Sequence, residues 1–327
     1  MKPENMENFP PVSREELDAR GIDRPDFIFV TGDAYIDHPS FGAAIITRVL
    51  ESRGYSVALI VQPDWRSAAD FAALGRPRLA FLVSSGNLDS MVNHYSVAGN
   101  RRKTDSYSED GEPGKRPDRA TIVYANRCRE AFSDVPLILG GIEASLRRFA
   151  HYDYWDDRVR HSILYDACAD ILVYGMGERA IAEIADGLNA GKSVNELTGI
   201  KGTCVRVSSP DDAADAIILP SYNDVKKDKT KYCEAFLIQS REQDAVRGRR
   251  LLQPHEKGAL LCNPPAQPLG TRELDEIYAL PYTRRPHPMH KKHIPAIDEV
   301  SFSITSARGC FGNCSFCALT FHQGRVV

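Results

Sequence analysis

From Asp26 onward the sequence runs in short apolar segments, beginning near Phe27, Val57, Leu79, Val135 and Ile171, that alternate with stretches of helical periodicity and turn residues. These segments are apolar on consecutive residues, which suits strands covered on both faces, as in a parallel sheet between helix layers. The rhythm predicts an α/β fold with a doubly wound parallel sheet over residues 26–200. The first crossover is the clearest. Ser40 is placed to cap a helix on which Phe41, Ile45 and Val49 stand four apart, with Ile46 and Leu50 beside them. Gly54 is placed to stop it, and Tyr55 to Val61 returns as the next strand. The rhythm breaks at Gly99 to Arg119, where almost nothing is apolar. We expect a solvated surface insertion there; the alternative is a loop that folds over a ligand.

Length and composition narrow the field. A chain of 327 residues, 43% hydrophobic and 26% charged, has room for two or three domains and is neither disordered nor collagenous nor a disulfide scaffold. Its net charge of −3 implies no general attraction to nucleic acid or an anionic membrane. The longest apolar runs, Phe27 to Val30 and Val57 to Val61, fall far short of the roughly 20 residues of a spanning helix. The first twenty residues, acidic and with Pro10-Pro11, do not read as a secretory signal. Five of the eight cysteines (Cys128, Cys168, Cys204, Cys233, Cys262) lie far apart, which fits a reduced, cytoplasmic protein. Cys128 and Cys168 read as buried small hydrophobes.

Residues 1–25 read as an extension, 26–200 as the α/β domain, 201–297 as a helical and proline-rich connector, and 298–327 as a separate terminal element. Within the connector one helix is predicted, roughly Tyr222 to Gln243, followed by a proline-punctuated stretch from Pro264 to Pro295. His287, His290 and His293 fall three apart, but the prolines at 286, 288 and 295 spoil any helix that would align them. We expect an exposed basic connector, with metal ligation as the alternative. Ser301 to Thr305 alternates as a short strand and leads into Gly309 and three clustered cysteines.

Cys310, Cys314 and Cys317 form a C-x3-C-x2-C array within eight residues. Three soft thiolates on so short a loop suit an iron-sulfur cluster or zinc, and Gly309 and Gly312 allow the backbone to bend round it. A 4Fe-4S cube held by three cysteines keeps one iron open to a small molecule. Zinc would want a fourth ligand, for which His322 or Cys262 is available, but the second C-x2-4-C pair typical of structural zinc sites is missing.

The C-x3-C-x-Phe-C loop, with Phe316 before the last cysteine, resembles that of the radical S-adenosylmethionine (SAM) enzymes. More closely, Thr31-Gly32-Asp33-Ala34-Tyr35, Asp37-His38-Pro39-Ser40-Phe41-Gly42, Gln62-Pro63-Asp64-Trp65, the segments Gly140 to Arg148 and His151 to Asp156, Asn263-Pro264-Pro265-Ala266 and Ala279-Leu280-Pro281-Tyr282 resemble the YgiQ-type radical SAM proteins, from roughly residue 13 onward. By that resemblance Cys310, Cys314 and Cys317 bind a 4Fe-4S cluster whose open iron chelates SAM, and Phe316 lies near the adenine. An electron then cleaves SAM to methionine and a 5′-deoxyadenosyl radical that acts on an unknown substrate, the electron coming from a donor such as flavodoxin or ferredoxin. The resemblance also implies a (β/α) barrel, of which 298–327 is only the start, since ten residues follow Cys317. The chain then reads as a fragment of a longer protein or a truncated product. The rival reading is a non-catalytic, cobalamin-like α/β binding domain with a remnant cysteine loop.

Gly140-Gly141 and Gly175-Met176-Gly177-Glu178 resemble the turns of cobalamin-binding domains, where glycine lets a macrocycle or nucleotide tail approach the backbone. The D-x-H-x-x-G signature is not met by Asp37, His38 and Gly42, so no cobalamin is expected. Gly175 to Ala180 also matches G-x-G-x-x-G/A, but it comes too late in the chain for a dinucleotide fingerprint and fits turn glycines capping a helix. Asp153, Asp156 and Asp157 among Tyr152, Tyr154 and Trp155 read as an aromatic-rich packing turn, with substrate binding as the alternative.

Overall fold

In the computed structural model, which describes residues 8–209 and 213–327, the first three apolar segments become strands β1 (Phe27–Thr31), β2 (Val57–Val61) and β3 (Ala80–Ser84). They pair in parallel in the order β2-β1-β3. Phe27, Ile28 and Val30 are wholly buried and Phe29 nearly so; each such side chain contributes about 1.5–3 kcal/mol relative to an exposed one. The crossover helix runs Gly42–Ser52 and ends with Gly54 at φ +85°, as expected. Its cap differs. The Ser40 N–H donates to His38 Nδ1 at 3.1 Å, which holds Ser40 in the preceding turn, and the Gly42 N–H reaches Asn87 Oδ1 at 3.4 Å instead.

These strands belong to a compact unit made of the chain up to Leu137 together with Leu269–Ser306; a second unit is formed by Ile138–Pro268 and Ala307–Val327. The expected domain of residues 26–200 is thus divided, and residues 269–297 are part of the first unit. A strap accounts for this: Ile36 bridges Pro286, the Asp37 N–H donates to the Arg285 carbonyl at 3.0 Å, and the His287 N–H to that of Tyr35 at 2.9 Å.

In the second unit β4 (Leu137–Leu139) pairs in parallel with β7 (Ile171–Val173), and β5 (His151–Asp153) forms a hairpin with β6 (Arg158–Arg160). The sheet then turns antiparallel through β8 (Thr203–Val207), β11 (Ala259–Cys262) and β10 (Leu251–Pro254), with β9 (Ile217–Ile218) parallel to β10. Residues 201–268 are therefore part of a sheet, not a connector. Gly258 closes the β10–β11 hairpin at φ +77°, where a Cβ would stand 2.4 Å from the Val207 carbonyl oxygen. The predicted helix is two, Tyr222–Lys227 and Lys229–Glu242, broken at Asp228, whose carboxylate caps the second by accepting the Thr230 N–H. Tyr152 and Tyr154 are exposed on their hairpin, while Asp153 is buried and accepts the N–H groups of Trp155 and Asp156.

The start of a barrel does not take shape in residues 298–327. Ser301 to Thr305 is not a strand, and Phe302 and Ile304 are 99% and 91% exposed. A strand needs a neighbouring strand for its N–H and C=O groups, whereas the Ser301 and Ser303 N–H groups donate back to the carbonyls of Ile297 and Val300, each at 2.9 Å. What does form is a helix, Ala318–His322. Cys128 is buried as expected, but Cys168 is exposed, because the chain leaves helix Ile163–Asp166 there with φ +48°. No helix among the described residues is long and apolar enough to cross a membrane.

Candidate functional site

Ligands of open α/β sheets sit beyond the carboxyl ends of the strands where the winding changes direction, which in the first unit is the end of β1 and β3. That place is filled by the chain itself. Arg116, wholly buried, reaches Asp33 Oδ1 at 2.7 Å, Asp105 Oδ2 at 3.0 Å and the Ser85 carbonyl at 2.8 Å. Asp33 accepts the Asn87 N–H at 2.6 Å, and Asp105 accepts from Asn93 at 3.0 Å and Ser108 at 3.1 Å. Burial pushes the Asp33 carboxyl up; Asp105, desolvated too but beside Arg116, Asn93 and the Tyr107 N–H, is held below the usual range. Gly86 is required, since a Cβ there would stand 2.1 Å from Asp33 Oδ1. The segment Gly99 to Arg119, expected to be solvated, thus carries Asp105, Ser108 and Arg116 into the interior.

The strap closes the same end. The Tyr35 N–H donates to His290 Nε2 at 3.0 Å, and His290 Nδ1 lies 3.1 Å from Glu109 Oε1. His287 is buried and pushed down to about 4 by desolvation. Only His293 stays on the surface, paired with Asp298 at 2.9 Å. Two of the three histidines are spent on anchoring, so the exposed basic connector is corrected at His287 and His290 and stands at His293.

In the second unit the strand ends do something different. Gly141 (φ +83°) follows β4 and Gly175 (φ +74°) follows β7; Gly140 and Gly177 are the residues preceding helices Gly141–Leu146 and Glu178–Asn189. Against these turns lies the segment that carries the cysteines. A Cβ at Gly175 would come within 3.0 Å of the His322 carbonyl oxygen. Ser145 Oγ accepts the Gly175 N–H at 3.2 Å and pairs with His322 Nδ1 at 2.9 Å. Burial and the nearby Arg148 charge push the His322 imidazole down to about 4, so it is neutral at pH 7. Arg308 forms an ion pair with the buried Glu178, at the start of the helix after Gly177. Phe321 packs on Phe236 with ring centroids 5.7 Å apart.

The cysteine loop is stitched at its base. The Cys310 N–H donates to the Gly324 carbonyl at 3.1 Å and the Gly309 N–H to Gln323 Oε1 at 3.3 Å. Gly309, at φ +78°, could not bear a side chain, because its Cβ would meet the Val326 carbonyl oxygen at 2.0 Å. Within the loop the Cys317 N–H reaches the Cys314 carbonyl at 3.1 Å. A Cβ at Gly312 would stand 3.4 Å from Cys310 Sγ and 3.8 Å from Cys314 Sγ, so the absent side chain keeps the space between two sulfurs open. Cys314 is exposed, Cys310 and Cys317 are half-buried, and Phe316 is 89% exposed. Among the described residues no three His, Cys, Asp or Glu side chains converge as a metal site, and His322, turned to Ser145, does not serve as a fourth zinc ligand. The donor set fits a thiolate-bound cluster in chemistry and in open space, with the sulfurs still to be drawn together.

The structure therefore brings Gly175 against the cysteine segment, whereas Gly140 and Gly177 stand ahead of their helices and Phe311 and Phe316 are exposed to solvent. Sequence reasoning missed Ser145, Glu178 and Arg308 as partners of that segment; the only signal for the ion pair was a buried acid in a glycine turn and an arginine just ahead of Gly309.

The family model described as Radical SAM N-terminal matches residues 9–303. A UPF0313 protein of Clostridium perfringens (strain SM101) is 57% identical over 322 residues, covering 98% of this chain and 49% of that protein. A UPF0313 protein of Clostridium botulinum (strain ATCC 19397) is 54% identical over 322 residues, covering 98% and 50%. The chain spans about half the length of the curated relatives it matches. Among solved structures, the radical S-adenosylmethionine methyltransferase TsrM from Kitasatospora setae, with tryptophan substrate and a SAM analog bound, aligns at 19% identity and a TM-score of 0.37 over 55% of this chain and 28% of that one. The same protein with cobalamin and a [4Fe-4S] cluster bound aligns at 18% and 0.37, over 55% and 27%.

Proposed function

Because the chain belongs to the radical SAM N-terminal family, we propose that it is part of a radical SAM enzyme in which Cys310, Cys314 and Cys317 hold a 4Fe-4S cluster with SAM at the fourth iron. The observation that supports this most is the donor set itself, three thiols in C-x3-C-x2-C on one loop with the space between two of them open at Gly312. When bound, the reduced cluster supplies the electron that splits SAM into methionine and a 5′-deoxyadenosyl radical able to take hydrogen from a substrate. The chain's own part is to hold and orient. Gly309 and Gln323 fix the loop base, Arg308 and Glu178 tie it to the turn after β7, and exposed Phe316 offers a ring face to the adenine. Gly140, Gly141, Gly175 and Gly177 act in this reading by seating the helix behind the loop. The barrel that completes such an enzyme would come from a longer chain that includes these residues, and its electron would come from a flavodoxin- or ferredoxin-type donor in the cytoplasm. We expect no cobalamin, since Arg116 and its carboxylates occupy the strand ends of the first unit.

The test is anaerobic reconstitution of this chain with iron and sulfide, followed by EPR of the reduced protein with and without SAM. The expected result is a cluster signal that shifts with SAM and disappears in Cys314→Ala. Failure to take up iron, or equal uptake by the variant, would overturn the reading.

A further inference from the structure

Two cysteines that take no part in the loop face each other in the second unit. Cys204 on β8 and Cys262 on β11 are direct cross-strand partners and are buried, at 0% and 4% exposure. The next pair outward, Thr203 and Asn263, is the hydrogen-bonded one, with the Asn263 N–H donating to the Thr203 carbonyl at 2.9 Å. Cys204 and Cys262 therefore occupy a non-hydrogen-bonded position, where Cα atoms of antiparallel strands approach to about 4.5 Å and the side chains share a face. That separation lies at the short end of the range of about 4.4–6.8 Å that a disulfide spans.

A buried cation stands beside the pair. Arg148, 4% exposed, donates to the Ser145 carbonyl and to Gln243 Oε1, each at 2.6 Å, and its guanidinium lies 4.6 Å from the Tyr174 ring centroid. No carboxylate among the described residues pairs with it, and its Nε has no partner. A buried cation without a counter-ion is costly, and the Cys262 sulfur is the group beside it that can carry negative charge. Burial raises the Cys262 thiol, but the Cys204 hydrogen bond and the Arg148 charge outweigh it and bring the group below the ordinary cysteine value, while burial drives Cys204 well above.

We propose that Cys204 and Cys262 are a redox modification site that closes to a disulfide when the protein meets a hydroperoxide. The Cys262 thiolate attacks one oxygen of hydrogen peroxide, the O–O bond breaks, and a sulfenic acid and hydroxide result; the hydroxide takes up the proton Cys262 had released. The Cys204 sulfur then attacks the Cys262 sulfur, forming S–S and expelling the sulfenic oxygen as water together with the Cys204 proton. Two thiols lose two electrons, peroxide gains them, and two waters leave. This site stands whether or not the cysteine loop holds a cluster.

The experiment treats the full chain with hydrogen peroxide, blocks remaining thiols with N-ethylmaleimide after unfolding, and maps non-reduced peptides by mass spectrometry. The same is done on a chain carrying Cys310→Ser, Cys314→Ser and Cys317→Ser. The expected result in both is one linked peptide pair joining Cys204 to Cys262, absent in Cys204→Ser and formed several-fold more slowly in Arg148→Lys, which weakens the thiolate. Recovery of both residues as maleimide adducts after saturating peroxide would overturn the proposal. So would either of them joined instead to Cys310, Cys314 or Cys317.

Discussion

The two units end their parallel strands in the same kind of glycine turn and use the place in opposite ways. Behind β1 and β3 the chain has folded a charged loop inward and spanned it with a strap, so that Arg116 lies between two carboxylates with no exposed surface. Behind β4 and β7 the turns carry a short helix led by the half-buried Cys317, and Phe311 and Phe316 in the loop before it remain in solvent. A strand-end crevice is therefore not a binding site by virtue of its fold. What decides is whether the chain fills it with buried charges that satisfy one another or with sulfurs held only by long contacts to their own loop backbone, as Cys310 and Cys314 are by Gly312.

The sharpest way to break this contrast is to remove the cation from the filled end. Arg116→Met leaves Asp33 and Asp105 buried without it and should cost about 3–5 kcal/mol in chemical unfolding; a loss below about 1 kcal/mol would mean the network is not what closes that end. Acid tests the other end. His322 is neutral in the fold with its proton affinity lowered to about 4, whereas the unfolded imidazole titrates near 6.5. The unfolded state thus binds more protons between these values, and the seat of helix Ala318–His322 should weaken as pH falls from about 6.5 to 4, by on the order of 3 kcal/mol at the limit. Hydrogen exchange at residues 318–324 across that range reads it, and a flat profile would show that His322 is not buried there.

Gly175→Ala is a smaller perturbation. It places a side chain at φ +74° and 3.0 Å from the His322 carbonyl, for an expected loss of about 1–2 kcal/mol in unfolding free energy, together with faster exchange in residues 318–324. The mirror substitution in the first unit, His293→Ala, removes an exposed pair with Asp298 and should leave the unfolding midpoint unchanged. If it does not, the strap depends on more than His287 and His290.

The parts that could be read from the sequence were those with a one-dimensional signature. Phe27 to Val30 and Ile171 announced strands because burial on both faces leaves no polar position, and Cys310, Cys314 and Cys317 announced their chemistry by spacing. The inward loop could not be read, because Asp105 and Arg116 look solvated until their partnership is known, eleven residues apart and met by Asp33 from a third place. The same blindness hid His287 and His290, which buried themselves against β1's far end rather than standing in water. The antiparallel hairpin was legible in principle: Leu251-Leu252 and Ala259 to Cys262 are short apolar runs around a four-residue turn ending in Gly258.

The bond from the Cys310 N–H to the Gly324 carbonyl joins the ends of a fifteen-residue segment. Closing a flexible loop of that length forfeits chain entropy of about 2 to 3 kcal/mol on the logarithmic scaling of loop size. Here the meeting of the ends is secured by backbone and glutamine contacts that involve no sulfur. Whatever the three thiols grip would then spend its binding energy on turning side chains, and removing it should leave the ends of the segment still together.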